Sequence, residues 1–285
     1  MEIERILDEI DMLKPVSPMA SKAMAMLYNP DSTMREIVDV IKYDQSMTAN
    51  LLKICNSSFF GPIQRISSVR QAVAYMGTEK VASLIVMGHS ASNFAAAQSG
   101  YDLEEGELWR YSVSSALIAQ DIAEKKHIKN TPHLFTSALL KDIGKVVLNA
   151  HVKDALGRII THVQDDGLSF IEAEKKVVGI DHAELGAKIA ERWNFSPEMR
   201  DIIRYHHDPK SAGTDDVSVD VVYLADTICM MIGIGVGSDG LAYRYYQDIV
   251  DRLRITENDF QNIIVDFRVK LTSVEELIDL SGGNN

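Results

Sequence analysis

Apolar residues recur along this chain with a helical period. Met34, Ile37, Val38 and Ile41 fall at i, i+3, i+4 and i+7, the spacing that gathers side chains on one helix face. Val69, Ala72, Val73 and Met76 repeat it, as do Phe260, Ile263, Ile264 and Phe267. Start signals accompany these runs. Thr33 with Glu36, Ser68 with Gln71 and Ser169 with Glu172 have capping-box spacing, in which two side chains satisfy orphan backbone amides reciprocally. Thr131–Pro132 and Ser196–Pro197 each place a hydroxyl at the cap and a proline in the first turn. Gly77 and Gly179 stand where helices stop. Only "VSVDV", residues 217–221, alternates like a strand; because the apolar run continues without a turn through Ile232, it is expected to open a helix. No hairpin signal occurs, so the predicted fold is all-α. There is no internal repeat. The tail "SGGNN" is expected to be disordered, and "AAAQSGYDLEEG", residues 95–106, is the expected seam between an N-terminal and a C-terminal lobe.

Composition narrows the function. The 285 residues are 46% hydrophobic and 25% charged, a globular balance, and the net charge is −12. Phosphate neutralisation supplies most nucleic-acid affinity, so direct DNA or RNA binding is not expected. Cys55 and Cys229 sit in apolar surroundings without CxxC spacing and read as buried thiols. "MEIERILDEIDML" is acidic and amphipathic, unlike a signal peptide. "VVYLADTICMMIGIGVG", residues 221–237, is too short to span a bilayer and carries Asp226 at its centre. A cytoplasmic protein without membrane attachment is expected.

Two motifs fall away on inspection. "GIGVG" at 233–237 imitates a phosphate-binding loop, but no strand precedes it and no Lys follows, so it reads as a helix end and loop. "GHSAS" at 88–92 lacks the second glycine of a nucleophile elbow and lies mid-helix, where cap and surface serines account for it. Other polar residues are harder to set aside. "SALLKDIGKVV", residues 137–147, reads as one buried helix, yet its middle carries Lys141, Asp142 and Lys145. His182 lies in "DHAELG", His206 and His207 in "RYHHDP", and Asp226 in "YLADTIC". Imidazole and carboxylate are the usual ligands of zinc, manganese and iron.

The order and contexts of these residues resemble the HD superfamily of metal-dependent phosphohydrolases, in which a helix carrying "LLHDIGK" supplies a His-Asp pair. The likeness extends upstream. "LKPVSPMASKAMAMLYNPDSTMREIVDVIKYDQSMTANLLKICNSSFFG" and "ISSVRQAVAYMGTEKVASLIVM" resemble the HDOD family, HD-related output domains of bacterial signalling proteins. "KYDQSMTANLLKICNSSFFG" is the most specific part. The resemblance implies an N-terminal HDOD helical lobe over residues 1–98 and a degenerate HD-like lobe with C-terminal helices over 99–285.

It also implies what has been lost. Lys141 stands where an active HD enzyme has His, and Tyr111, in "LWRYSVSSALIAQDIA", stands at the position of the first metal-binding His. Asp142 and Asp226 are left, and the Lys141 ammonium is expected to neutralise them where a cation would stand. In two-metal relatives a second ion is held by the shared Asp and three downstream histidines. Their counterparts are Asp142, His182, His206 and His207, which could hold one divalent transition metal (Fe, Mn or Zn). The segment after the histidine pair lacks the GYP signature, and one ion cannot clamp both the attacking and the leaving oxygen. The implied function is a catalytically silent bacterial signalling module that binds a partner protein or a small ligand. The alternative is a metal-dependent phosphohydrolase of nucleotides or cyclic dinucleotides.

Overall fold

A computed structural model describes residues 2–14, 17–29, 31–42, 44–129, 131, 133–213, 217–240 and 243–282. Pro132 of the expected Thr131–Pro132 start and residues 283–285 of the expected tail lie outside the described residues. Among those described the elements are helical, with one isolated bridge, Gln98 to Leu103, and no strand. The all-α prediction holds. None of these helices is long and apolar enough to cross a membrane.

The chain divides into two compact units. The larger, Met1–Leu13 with Asn93–Arg268, opens with α1 (Glu2–Glu9). The smaller, Lys14–Ser92 with Val269–Asn285, begins with α2 (Pro18–Tyr28), α3 (Met34–Lys42), α4 (Gln45–Cys55) and α5 (Val69–Met76). It continues through most of α6 (Thr78–Phe94). The larger unit resumes with α7 (Glu107–Lys125), α8 (Leu134–Leu140), α9 (Ile143–Asp165), α10 (Phe170–Val178) and α11 (His182–Arg192). It ends with α12 (Pro197–Tyr205), α13 (Val217–Met231), α14 (Gln247–Arg252) and α15 (Glu257–Val269). The last helix, α16 (Leu271–Gly282), returns to the smaller unit.

Besides a boundary after Ser92, these units differ from the division at residue 98 in two places, each with a packing reason. In the larger unit, α1 buries Ile6. Close by, Arg192 donates to the Leu7 carbonyl and to Asp11. In the smaller unit, α16 packs on α4 with Val274 and Leu277 buried.

Local signals act largely as read. Ser169 and Glu172 form a full capping box on α10, and Thr33 with Glu36 does the same ahead of α3. Ser68 caps α5, but the return bond of Gln71 goes to Ser67. Gly77 and Gly179 have φ of 81° and 94°, conformations that glycine adopts at no steric cost. The segment 217–221 is helical, as the first turns of α13. Cys55 and Cys229 are buried free thiols, and burial raises both, Cys55 to about 12. One reading needs correction: Ser90 of "GHSAS" is buried, not a surface residue.

In the smaller unit a single side chain closes the loop between α4 and α5. Asn56 donates to the Leu52 and Ile66 carbonyls and accepts from the Ile66 amide. That clamp gives 57–66 the closed ends of an Ω-loop. In the larger unit α7 packs on α8 and α13, α9 on α10 and α11, and α11 on α12. The site lies where these helices meet.

Candidate functional site

The expected single helix over 137–147 is instead two. α8 ends at Leu140 and α9 begins at Ile143, with Asp142 at φ −96°, ψ 10° between them. The break brings Lys141 and Asp142, which an unbroken helix would spread about 100° apart, to one polar centre with Lys145, a turn further on. Gly144 fixes the approach of the next layer. A Cβ there would lie 2.0 Å from the His182 carbonyl oxygen, so α9 meets the start of α11 backbone to backbone. α11 itself begins where Asp181 accepts from the Glu184 amide. α12 stops at Tyr205, and the residues that follow turn His206 and His207 toward α11.

"GIGVG" is a loop, as expected, but a structural one. Gly235 has φ +56° and sits against the Tyr111 side chain. A Cβ on Gly237 would meet the Tyr101 carbonyl at 2.0 Å. The Ser238 amide donates to that carbonyl. The loop so pinned delivers Asp239, and beyond it Tyr243.

Charge organises the centre. The buried Lys141 ammonium bridges Asp142 Oδ2 and Asp226 Oδ1, the latter at 2.5 Å. It also lies 4.3 Å from the centre of the Tyr111 ring. Lys145 Nζ lies 2.8 Å from Asp142 Oδ1, an ion pair without hydrogen-bond alignment, and 2.6 Å from Asp239 Oδ2. Tyr111 and Tyr243 both donate to Asp226, at 2.6 and 2.5 Å. Burial works to raise Asp142, but Lys141 and then Lys145 outweigh it and hold the carboxyl well below its usual range. Asp226 is lowered for the same reason, with Lys141 the chief opponent of burial.

The imidazoles are oriented by their outer nitrogens. His182 Nδ1 lies 2.8 Å from Glu174 Oε2, which also accepts from the His182 amide, while Tyr101 donates to Oε1. His206 Nδ1 lies 2.6 Å from the Ile203 carbonyl. A carboxylate and a carbonyl only accept, so each Nδ1 carries the proton. Tyr243 spends its proton on Asp226, so His207 Nδ1, 3.1 Å away, donates to the phenol oxygen. All three Nε2 atoms thus turn inward. His182 Nε2 and His207 Nε2 are 2.9 Å apart, and His182 and His206 Nε2 stand 3.7 and 3.8 Å from Asp142 Oδ1. Two such lone pairs facing each other need a proton or a cation between them. Burial opposes a charge on His182, but Glu174 outweighs it and raises the pKa. Burial lowers His206 to about 3 and His207 well below its ordinary value.

One ligand atom from each of Asp142, His182, His206 and His207 lies within 4.8 Å of the other three, slightly wider than the roughly 4 Å spanned by opposite ligands of one ion. His206 Nε2 and Asp142 Oδ1 are buried without a hydrogen-bond partner. With the imidazoles neutral, the carboxylates of Asp142, Asp226, Asp239 and Glu174 exceed the two ammoniums by two charges, which a divalent ion would cancel. The donor set, the orphaned atoms and the charge fit one imidazole-binding divalent ion. Asp226 is taken up by Lys141, Tyr111 and Tyr243.

Every residue singled out by sequence therefore converges here. Glu174, Tyr101, Asp239 and Tyr243 were missed. Glu174 left a signal: it falls on the apolar stripe of α10 with Phe170, Ala173 and Val178, all buried. Asp239 and Tyr243 left none, because polar residues in a loop look like any others. Outside His207 lies a cleft of about 370 Å³ lined by Lys175, Arg204, Tyr205 and Asp208, beside a smaller cavity of about 100 Å³ that reaches His182 and Tyr243.

Known proteins share this architecture. The family model of the HDOD domain matches residues 13–209. A crystal structure of an HDOD domain protein of unknown function from Geobacter sulfurreducens is 24% identical, with a TM-score of 0.71 over 97% of this chain and 98% of that one. A protein from Shewanella amazonensis SB2B, described as a candidate phosphohydrolase, is 20% identical, with a TM-score of 0.71 over 97% of both chains. A candidate signal transduction protein from Marinobacter aquaeolei VT8 is 20% identical, with a TM-score of 0.73 over 97% of this chain and 61% of that one. An uncharacterized protein of Treponema pallidum is 25% identical over 71% of this chain, which spans 39% of that relative's length.

Proposed function

The chain belongs to the HDOD domain family, and from that premise we propose that it is a signal-transduction module that binds a partner protein or a small ligand and does not hydrolyse phosphate esters. One observation carries the reading: the Lys141 ammonium stands between Asp142 and Asp226. A protonated amine donates no lone pair, and it repels a divalent ion from those carboxylates. Hydrolysis by a pair of ions needs one on the attacking oxygen and one on the leaving oxygen. Among the described residues only one ion has a donor set.

That ion, held by Asp142, His182, His206 and His207, would supply a Lewis acid and an ordering centre for the helices around it. The cleft outside His207 is large enough for a small ligand and supports the binding half of the reading. The second reading, a phosphohydrolase using a single metal, is favoured by the same intact histidine cluster. Untagged protein incubated with Mn, Fe or Mg and a cyclic dinucleotide or a generic phosphodiester distinguishes the two. The expected turnover is no greater than that of Asp142→Ala. Hydrolysis that disappears in Asp142→Ala would establish the second reading instead.

A further inference from the structure

Two lysines hold Asp142, and they hold different oxygens. Lys141 takes Oδ2 and bridges it to Asp226. Lys145 lies 2.8 Å from Oδ1, the same oxygen that His182 Nε2 and His206 Nε2 approach at 3.7 and 3.8 Å. We propose that Lys145 is a built-in competitor for the metal, so that an ion enters the Asp142–His182–His206–His207 cluster only as the Lys145 ammonium leaves Asp142 for Asp239. The inference rests on reading that cluster as a single-ion site.

Three observations carry it. An ion bound about 2 Å from Asp142 Oδ1 would share that oxygen with the ammonium. Two cations so close repel strongly where solvent is excluded, and the Lys145 side chain is only 1% exposed. The second is that the ammonium already has somewhere to go. Asp239 Oδ2 is 2.6 Å away, and Asp239 Oδ1 is buried with no hydrogen-bond partner, ready to accept the donor that Asp142 gives up. The third is that the receiving carboxylate is fixed. Asp239 follows the loop whose Gly237 lies against the Tyr101 carbonyl and whose Ser238 amide donates to it. Metal occupancy is thereby tied to the hold on the 233–240 loop, which lines the ligand cavity through Asp239.

The test is calorimetric titration of untagged full chain with Zn and with Mn. Lys145→Gln removes the competitor and is expected to bind roughly 10- to 100-fold more tightly, the range by which neighbours of ligands tune metal affinity. Asp239→Asn leaves Asp142 as the only carboxylate of Lys145 and is expected to bind more weakly. Much of that loss should vanish in the double variant, because the effect runs through Lys145. General loss of stability would weaken both single variants, so the opposite signs are the signature. His206→Ala reports whether the ion sits in the cluster at all. Unchanged or weaker binding by folded Lys145→Gln, with binding still abolished by His206→Ala, overturns the competitor and leaves the site standing. No binding by any variant overturns both. Should Lys145→Gln fail to fold, equal or tighter binding by Asp239→Asn overturns the proposal.

Discussion

At the scale of a single residue, Lys141 decides what this centre is. An unpaired ammonium of zero exposure would be expensive to bury, and here two carboxylates and the Tyr111 ring face it. Lys141→Met leaves Asp142 and Asp226 facing each other without that charge. Breaking a buried pair from one side costs about 3–5 kcal/mol, so a melting temperature several degrees lower is expected by calorimetry. An unchanged melting temperature would mean that Tyr111, Tyr243 and Lys145 satisfy the carboxylates without it. The exchange of His for Lys was legible from the resemblance of "LLKDIGK" to the family's "LLHDIGK". The partners that set the imidazole tautomers were not, because Glu174, Ile203 and Tyr243 reach the histidines through space.

At the scale of elements, glycines set how closely the site's helices approach. Gly144 and Gly157 lie on the same helix, α9, in opposite circumstances. At Gly144 an added Cβ would meet the His182 carbonyl at 2.0 Å, and backbone cannot swing aside as a side chain can. Gly144→Ala is expected to cost about 3 kcal/mol or more and to abolish zinc binding by displacing His182. At Gly157 nothing lies within 4 Å. Gly157→Ala is expected to stabilise by roughly 0.5–1 kcal/mol, since alanine restricts the unfolded chain and suits a helix interior. Chemical denaturation of the two variants checks the pair, and equal effects would contradict the close approach. In sequence both glycines look like interruptions of a helical pattern.

At the scale of the whole molecule, chain order and compactness disagree. The smaller unit takes its last helix from beyond residue 268, and α16, which packs on α4, buries Val274 and Leu277. A chain truncated after Arg268 therefore loses the helix that packs on α4. Burying two such side chains contributes roughly 1.5–3 kcal/mol each, so the smaller unit is expected to lose about 3–6 kcal/mol. Hydrogen exchange of α4 in full-length and truncated protein measures this. Equal protection would show that α16 adds nothing to the smaller unit's stability.

What the sequence by itself determined was the helical class, several helix starts and stops, the family and part of the centre: Tyr111, Lys141, Asp142, His182, His206, His207 and Asp226. Those properties are local or ordered along the chain: a 3.6-residue period, a hydroxyl three places before a carboxylate, an Asp after a Lys. The tertiary structure alone decided that "LLKDIGK" breaks between two helices, that Lys145 and not Lys141 shares the Asp142 oxygen that His182 and His206 approach, and that "GIGVG" carries Asp239 to Lys145. Each depends on which backbones come within van der Waals contact and which charges share a space without water. Residues about a hundred positions apart can meet in that way with no pattern between them to announce it.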